Sequence, residues 1–243
     1  CIGQSINLSS TTYANATCSW TGPNGWTSSA QNPVITNVTA ANAGTYTVSA
    51  IANGCIGTPS STIVVVNPIP AAPVLSNNAP MCSGQTLNLT AQNVVGGTFN
   101  WTGPNSFSSN QQNPVITNVP FANGGTYSAT VTVLGCTSTA ATTSAVINLS
   151  PVATPTNNGA LCEGATLNLN TTAVAGASYS WSGPNGFTST LQSPVIPNVT
   201  IAGNAGIYTL TMALAGCTGN SATTNVVIHA IPASPALSSN SPI

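Results

Sequence analysis

No lysine and no arginine occur in 243 residues, and there is a single acid, Glu163, and a single histidine, His229. Each absence removes a class of function. Nucleic-acid affinity comes mainly from basic side chains that release counterions from phosphate, so a nucleic-acid partner is excluded. Attraction to anionic membrane surfaces falls with it. One carboxylate cannot make the acid pair of a glycosidase, and a nucleophile would have no oriented base beside it, so no catalytic residue is expected and the chain reads as a non-enzyme. Calcium sites take several carboxylates, and zinc needs four converging ligands, which two thiols per repeat and one histidine overall do not supply. No metal and no cofactor is therefore expected. Long apolar runs are missing too: none approaches the ~20 residues of a membrane span, and no signal peptide is visible, so membrane insertion is not expected.

What is present is repetition. The stretch WTGPNGW at residues 20–26 returns as WTGPNSF at 101–107 and as WSGPNGF at 181–187. Trp20, Trp101 and Trp181 are 81 and 80 residues apart, and the triplets Tyr46, Tyr127, Tyr208 and Cys55, Cys136, Cys217 are each 81 and 81 apart. A fixed period of this size marks an array. Copies of about 80 residues are near the low end of what folds around one core, so a covalent staple would help. Glu163 stands where the other copies have Ile2 and Ser83, and His229 where they have Asn67 and Asn148. Neither is required by the repeat, and both read as exposed surface residues. The second and third copies are entered through SNNAPMCSG and TNNGALCEG, whereas the chain starts at Cys1-Ile2-Gly3 and ends in SSNSPI. The expectation is three periods of a longer array, with the first strand of copy one preceding Cys1.

Within a copy the pattern is that of strands. Residues 4–10 (QSINLSS) alternate apolar and polar, as do QTLNLTA and ATLNLNT later, which marks a half-buried strand. Cys18 and Trp20, two apart, share a face of the next strand, as do Phe99 with Trp101 and Tyr179 with Trp181. Gly-Pro-Asn-Gly at 22–25 is turn chemistry, because proline presets φ and Asn and Gly tolerate positive φ. Trp26, Phe107 and Phe187 start the return strand, and residues 32–38 (NPVITNV) supply another, with Pro33 at its beginning. Residues 42–46 (NAGTY), with NGGTY and NAGIY in the other copies, lead into a long alternating strand that ends at a Gly-Cys. A last strand follows, STIVVVN at 61–67, and proline-rich segments (IPAAP from Ile69, and residues 151–155) read as semi-rigid spacers between copies.

The tryptophan on one strand and the Gly-x-Tyr at the start of another resemble the immunoglobulin-like sandwich, with Trp20, Trp101, Trp181, Tyr46, Tyr127 and Tyr208 as its core signature. The departure is the cysteine two places after the tyrosine, which is Val48, Ala129 and Leu210 here; the usual inter-sheet disulfide is therefore absent. The fold expected is all-β: three tandem immunoglobulin-like antiparallel β-sandwich modules in a rod-like array, at 1–68 (first strand missing), 69–150 and 151–231, with 232–243 as linker or first strand of a following module. The recurring cysteines around Trp-x-Gly-Pro-Asn-Gly-Phe make the chain similar to immunoglobulin-like repeats of very large Bacteroidetes cell-surface adhesins exported by type IX secretion. That resemblance implies an extracellular, cell-surface location, which the even cysteine number per complete copy supports independently. It implies a stalk or filament segment, with any cell-surface glycan or protein bound through parts outside this stretch. The alternative is a carbohydrate- or protein-binding module, for which Trp26 is the one distinctive aromatic.

Six cysteines are candidates for structural disulfides: Cys1, Cys55, Cys82, Cys136, Cys162 and Cys217. Pairing within copies would join Cys1 to Cys55, Cys82 to Cys136 and Cys162 to Cys217. Against this, Cys-x-Gly and Gly-Cys fall at opposite ends of a sandwich, ~20 Å apart by the rise of a strand, while a disulfide needs Cα atoms within ~7 Å. Pairing across junctions would join Cys1 to Cys136 and Cys82 to Cys217. Both schemes stay open at this point. Cys18, whose counterparts are Phe99 and Tyr179, reads as a core thiol.

A surface of Asn, Ser, Thr and Gln has almost no net charge to oppose association. Antiparallel sandwiches present edge strands, and there is no lysine here to guard them. The expected partner is the chain itself, in a homo-oligomer or fibre whose weak contacts multiply along the repeat. Static light scattering is expected to find oligomers whose mass stays the same between low and high salt, because there is little charge to screen; oligomers that dissolve as salt rises would contradict this mechanism.

Overall fold

The computed structural model describes residues 1–12 and 14–238; the expected linker at 232–243 lies outside them from residue 239 on. The chain is all-β, a tandem of immunoglobulin-like antiparallel sandwiches, and the same strands recur in the second and third periods, with a subset of them in the first. Its described residues form two compact units. One comprises Cys1–Asn77, Asn88–Val115 and Gly125–Ser144, the other Asn78–Leu87, Ile116–Gly124 and the chain from Ala145 onward.

The third copy, wholly within the second unit, displays the plan. Thr156–Asn157, Leu167–Asn170 and Val195–Ile196 make a three-stranded antiparallel sheet, with Asn157 opposite Leu169 and Leu167 opposite Ile196. The facing sheet runs Thr188–Ser189, Ser178–Ser182, Gly206–Leu214, Cys217–Thr218, and Ala222–Val226 also pairs with Gly206–Leu214. Side chains alternate across each strand, so Leu167 and Leu169 from one sheet, and Trp181, Tyr208, Leu210 and Met212 from the other, meet in one buried cluster while Asn168, Thr209 and Thr211 stay outside it.

The Gly-Pro-Asn-Gly turns use their residue types as expected. Asn24 and Gly25 sit at φ 52° and 72°, Asn185 and Gly186 at 49° and 74°, a region that Asn and Gly reach at least cost. The asparagine also works outward. Its amide donates to Ala41 O (2.6 Å) in the first copy and to Ala202 O (2.9 Å) and Gly203 O (2.8 Å) in the third, tying the turn to the loop that precedes the tyrosine.

The first copy, wholly in the first unit, has the same inner sheet: Thr27–Ser28, Ala16–Thr21, Gly44–Ala52, Cys55–Ile56 and Ser60–Val64. Its other sheet has only two strands, Ile6–Asn7 against Val34–Ile35. The strand expected over residues 4–10 is two residues long, and among the described residues it pairs with Val34–Ile35 alone.

The proline-rich linkers differ from the spacers expected of them. Thr156–Asn157 and Leu75–Asn77 pair with their own copies' strands, and Asn77 stands opposite Leu89 just as Asn157 does opposite Leu169. Ala153 and Pro73 are buried. A linker carrying small apolar residues beside an open sheet edge gains more by pairing than by remaining solvated.

Trp101 is fully buried at 0% exposure. Trp101→Ala is expected to cost ~3–5 kcal/mol, as large aromatic truncations do. Urea unfolding of the variant checks this, and a midpoint equal to the parent's would contradict a core role.

Candidate functional site

The six signature aromatics occupy one recurring arrangement. Trp20, Trp101, Trp181, Tyr46, Tyr127 and Tyr208 are each at most 3% exposed. The Tyr46 hydroxyl donates to Asn42 O at 2.8 Å and that of Tyr208 to Asn204 O at 3.1 Å, and burial pushes both phenols above their ordinary pKa. Each tyrosine ring meets the aromatic after the turn edge-on. The centroids are 5.4 Å apart for Trp26 with Tyr46, Phe107 with Tyr127 and Phe187 with Tyr208. Trp26 is therefore a ring partner of the corner and not a free stacking platform. A glycine opens each turn because a Cβ on Gly22 or Gly183 would overlap the tyrosine ring. This arrangement is structural; the chemistry lies with the cysteines.

Gly44–Ala52 turns back through Asn53 and Gly54 (φ 52° and 78°) into Cys55–Ile56, with Ala52 opposite Cys55. The other copies build the same hairpin through Leu134-Gly135 (48° and 79°) and Ala215-Gly216 (49° and 81°), with Val133 opposite Cys136 and Leu214 opposite Cys217. The Gly-Cys motif is thus a hairpin tip. The Cys-x-Gly motif lies on a short strand parallel to the end of its own copy's last strand: Met81–Cys82 beside Ile147–Asn148 and Leu161–Cys162 beside Ile228–His229. In the first copy the same contact is Ile2 N–H to Asn67 O, 3.0 Å. Nothing in the alternation pattern announced this parallel pairing, because two-residue strands leave no periodicity to read.

That strand end is where the chain passes on to the next copy, which decides the pairing. Cys1 bonds Cys136 and Cys82 bonds Cys217, with Cα atoms 5.5 Å apart in both. The Sγ of Cys136 lies 3.7 Å from Asn67 O and that of Cys217 lies 4.0 Å from Asn148 O. Around each bond the backbone is shared: Asn67 Nδ2 donates to Leu134 O at 3.1 Å. At the second bond the Ser150 hydroxyl donates to Ser83 O at 3.0 Å. Gly219 must be a glycine, since a Cβ there would overlap the Pro151 carbonyl. The within-copy scheme does not form. Of the six candidates, Cys55 and Cys162 are exposed thiols with no disulfide partner among the described residues, because each bond formed joins a thiol of one copy to a thiol of the neighbouring copy. Cys18 is half-buried, with Sγ 3.3 Å from the Ser10 hydroxyl.

Glu163 and His229 prove to be backbone neighbours, the Glu163 N–H donating to His229 O at 3.0 Å. The Glu163 carboxylate accepts from Ile201 N–H at 3.1 Å. Among the described residues no three His, Cys, Asp or Glu side chains converge on a point, and no helix is long and apolar enough to cross a membrane.

No protein-family model and no curated protein sequence matches the chain. Among solved structures it is similar to the Drosophila OTK extracellular domains 3–5, at 14% identity and TM-score 0.42 over 94% of this chain and 92% of that one. Sidekick-1 immunoglobulin domains 1–5 match at 15% identity and TM-score 0.35, over 95% of this chain and 57% of that one. The Dpr2 Ig1–Ig2 complex with DIP-Theta Ig1–Ig3 matches at 11% identity and TM-score 0.38, over 94% and 95%.

Chymotryptic mapping without reductant is expected to yield linked peptides containing Cys1 with Cys136 and Cys82 with Cys217, with Cys55 and Cys162 alkylated. Trypsin finds no site in this chain. Cys82→Ser is expected to lower stability by ~2–5 kcal/mol, the range for opening a long disulfide loop, read as a lower urea midpoint. A Cys1–Cys55 peptide would overturn the assignment.

Proposed function

We propose that this chain is a load-bearing stretch of an extracellular stalk or filament, of the kind formed by repetitive Bacteroidetes adhesins exported by type IX secretion, with modules at 1–68, 69–150 and 151–231 and the start of another at 232–243. The observation that carries the reading is the disulfide that leaves each copy for the next. A bond inside a copy stabilises that copy alone. Bonds across junctions, with 135 residues between partners, make neighbouring copies a single covalent path, the feature a tether under tension requires. Their stability calls for an oxidising compartment, which supports an extracellular place. Three interchangeable cores and a surface without acid–base machinery suit a scaffold better than a catalyst. The near-absence of charge supports side-by-side association of such stalks through Asn, Thr and Ser hydrogen bonds. Recognition of a glycan or protein belongs to other parts of the assembly, since Trp26 is engaged with Tyr46.

The covalent path makes a mechanical prediction. Through the two bonds, the shortest route from Cys1 to the chain end runs back from Cys136 to Cys82 and onward from Cys217, roughly a third of the backbone at ~3.4 Å per extended residue. Single molecules pulled from both ends are expected to extend about three times farther under reductant than without it. Equal extension in both conditions would remove the support for a tension-bearing role.

A further inference from the structure

A disulfide offers an attacking thiol two sulfurs, and the fold treats the two sulfurs of the Cys82–Cys217 bond differently. Cys82 is half-buried. Cys217 is 1% exposed, and its Sγ lies 4.0 Å from Asn148 O. Beside the bond opens a cleft of about 760 Å³, lined among others by Cys82, Gln85, Asn118, Pro151, Asn220 and Ser221. Gly216 and Thr218 line it as well, but Cys217 between them does not, since neighbours on a strand point to opposite faces. All of these residues come from interior stretches of the chain within the second unit.

The walls of the cleft are tied in place. Ser83 N–H donates to Asn148 O and Gly84 N–H to Val119 O, both at 2.8 Å. Ser150 N–H donates to the Ser83 hydroxyl at 2.9 Å, and Cys82 N–H donates to Gln85 Oε1 at 3.0 Å, which holds the glutamine amide beside the cysteine. The lining residues carry amides, hydroxyls and backbone groups but no charge, and the chain has no lysine or arginine to supply one. A cleft of this kind suits a neutral molecule with amide or hydroxyl groups, and it gives an ion no partner to replace its water.

We propose that this cleft admits a neutral low-molecular-weight thiol bearing amide groups, and that Cys82 is a site of reversible S-thiolation. In thiol–disulfide exchange a thiolate attacks one sulfur and the other leaves, so access decides which sulfur is taken. The cleft opens on Cys82, and burial closes Cys217. The entering thiol gives up its proton to water and its sulfur bonds to Cys82 Sγ. The Cys82–Cys217 S–S bond breaks, and its electron pair leaves on Cys217 Sγ. Charge left there has neither bulk water nor a cation beside it, so Cys217 takes up a proton and becomes a thiol. One disulfide and one thiol enter the step, and one mixed disulfide and one thiol leave it. No other oxidant or reductant is needed. When the small thiol is withdrawn, Cys217 attacks the mixed disulfide, expels the cap and restores the bond. The site does not depend on the load-bearing role proposed above; within that role, capping Cys82 opens the covalent path at one junction and uncapping closes it.

The test uses the full 243-residue chain, with its free thiols first blocked by iodoacetamide. The folded protein is exposed briefly to N-acetylcysteinamide, a neutral amide-bearing thiol. Exchange is stopped with acid, and newly released thiols are labelled with N-ethylmaleimide in acidic denaturant. Peptide mass mapping is expected to find the cap on Cys82 and the maleimide on Cys217, in at least tenfold excess over the reverse. In urea, where the cleft is gone, the two sulfurs should be capped about equally. Ser221→Trp, at an exposed position in the lining, should slow capping of Cys82 at least fivefold while the Cys1–Cys136 bond opens at its parental rate. Capping on Cys217, equal capping in the folded chain, the same preference in urea, or a Cys82–Cys217 bond left intact by thiol that opens it in urea would each overturn the proposal. Selective capping of Cys82 in a chain whose extension does not change under reductant would keep this site and lose the tether.

Discussion

The bond from a hairpin tip in one copy to the parallel strand at the end of the copy before is the constraint to which the other junction features answer. It requires the tip to arrive at a fixed place, and the turns behind the two bonded tips, Leu-Gly and Ala-Gly, keep the positive φ pair that Asn-Gly adopts behind the free Cys55. Leucine and alanine are poor choices for positive φ. That they are held there shows that the position of the tip outweighs the local preference of the residue. The strand bearing the other thiol is only two residues long, and it is held by backbone bonds to the last strand of its copy. A short parallel pair would be marginal alone; closed by a disulfide, it is one end of a covalent bridge.

Beneath this lies an economy of burial. Each copy is small, and with no inter-sheet disulfide its core rests on a tryptophan, a tyrosine and a few alternating leucines and valines. Their packing leaves little tolerance, since glycine is needed wherever the tyrosine ring lies against the turn. The linker contributes as well: Pro73 and Ala153 are buried and the residues after them extend a sheet. A copy is thus finished by chain that the repeat count would assign to the space between copies, and the disulfide and the linker reinforce the same junction. Composition is consistent with this design. With almost no charge, neither long-range repulsion nor ion pairing governs how copies meet, so shape, hydrogen bonds and covalent closure carry the specificity.

Much of this was legible in the chain alone. Alternation at Leu87 and Leu89, the shared face of Phe99 with Trp101 and the Gly-x-Tyr corner announced the sandwich, because strand amphipathicity is a local property written at a spacing of two. Positive φ at Asn24 and Asn185 followed from residue type for the same reason. The cysteines were another matter. Their spacing was equally compatible with Cys1 reaching Cys55 or Cys136, and their identity as candidates did not separate the four that bond from Cys55 and Cys162, which do not.

Sequence by itself therefore determined the period, the longer strands and the buried aromatics, all of which depend on neighbours a few residues away. Tertiary structure alone decided which thiols pair, that the proline-rich linkers run on into paired strands, that Glu163 and His229 lie side by side across 66 residues, and that Trp26 is spent on Tyr46. Those outcomes depend on where strand ends fall in space. Distances of that kind are set by the summed geometry of a whole sandwich, and no repeat spacing, however regular, encodes them one residue at a time.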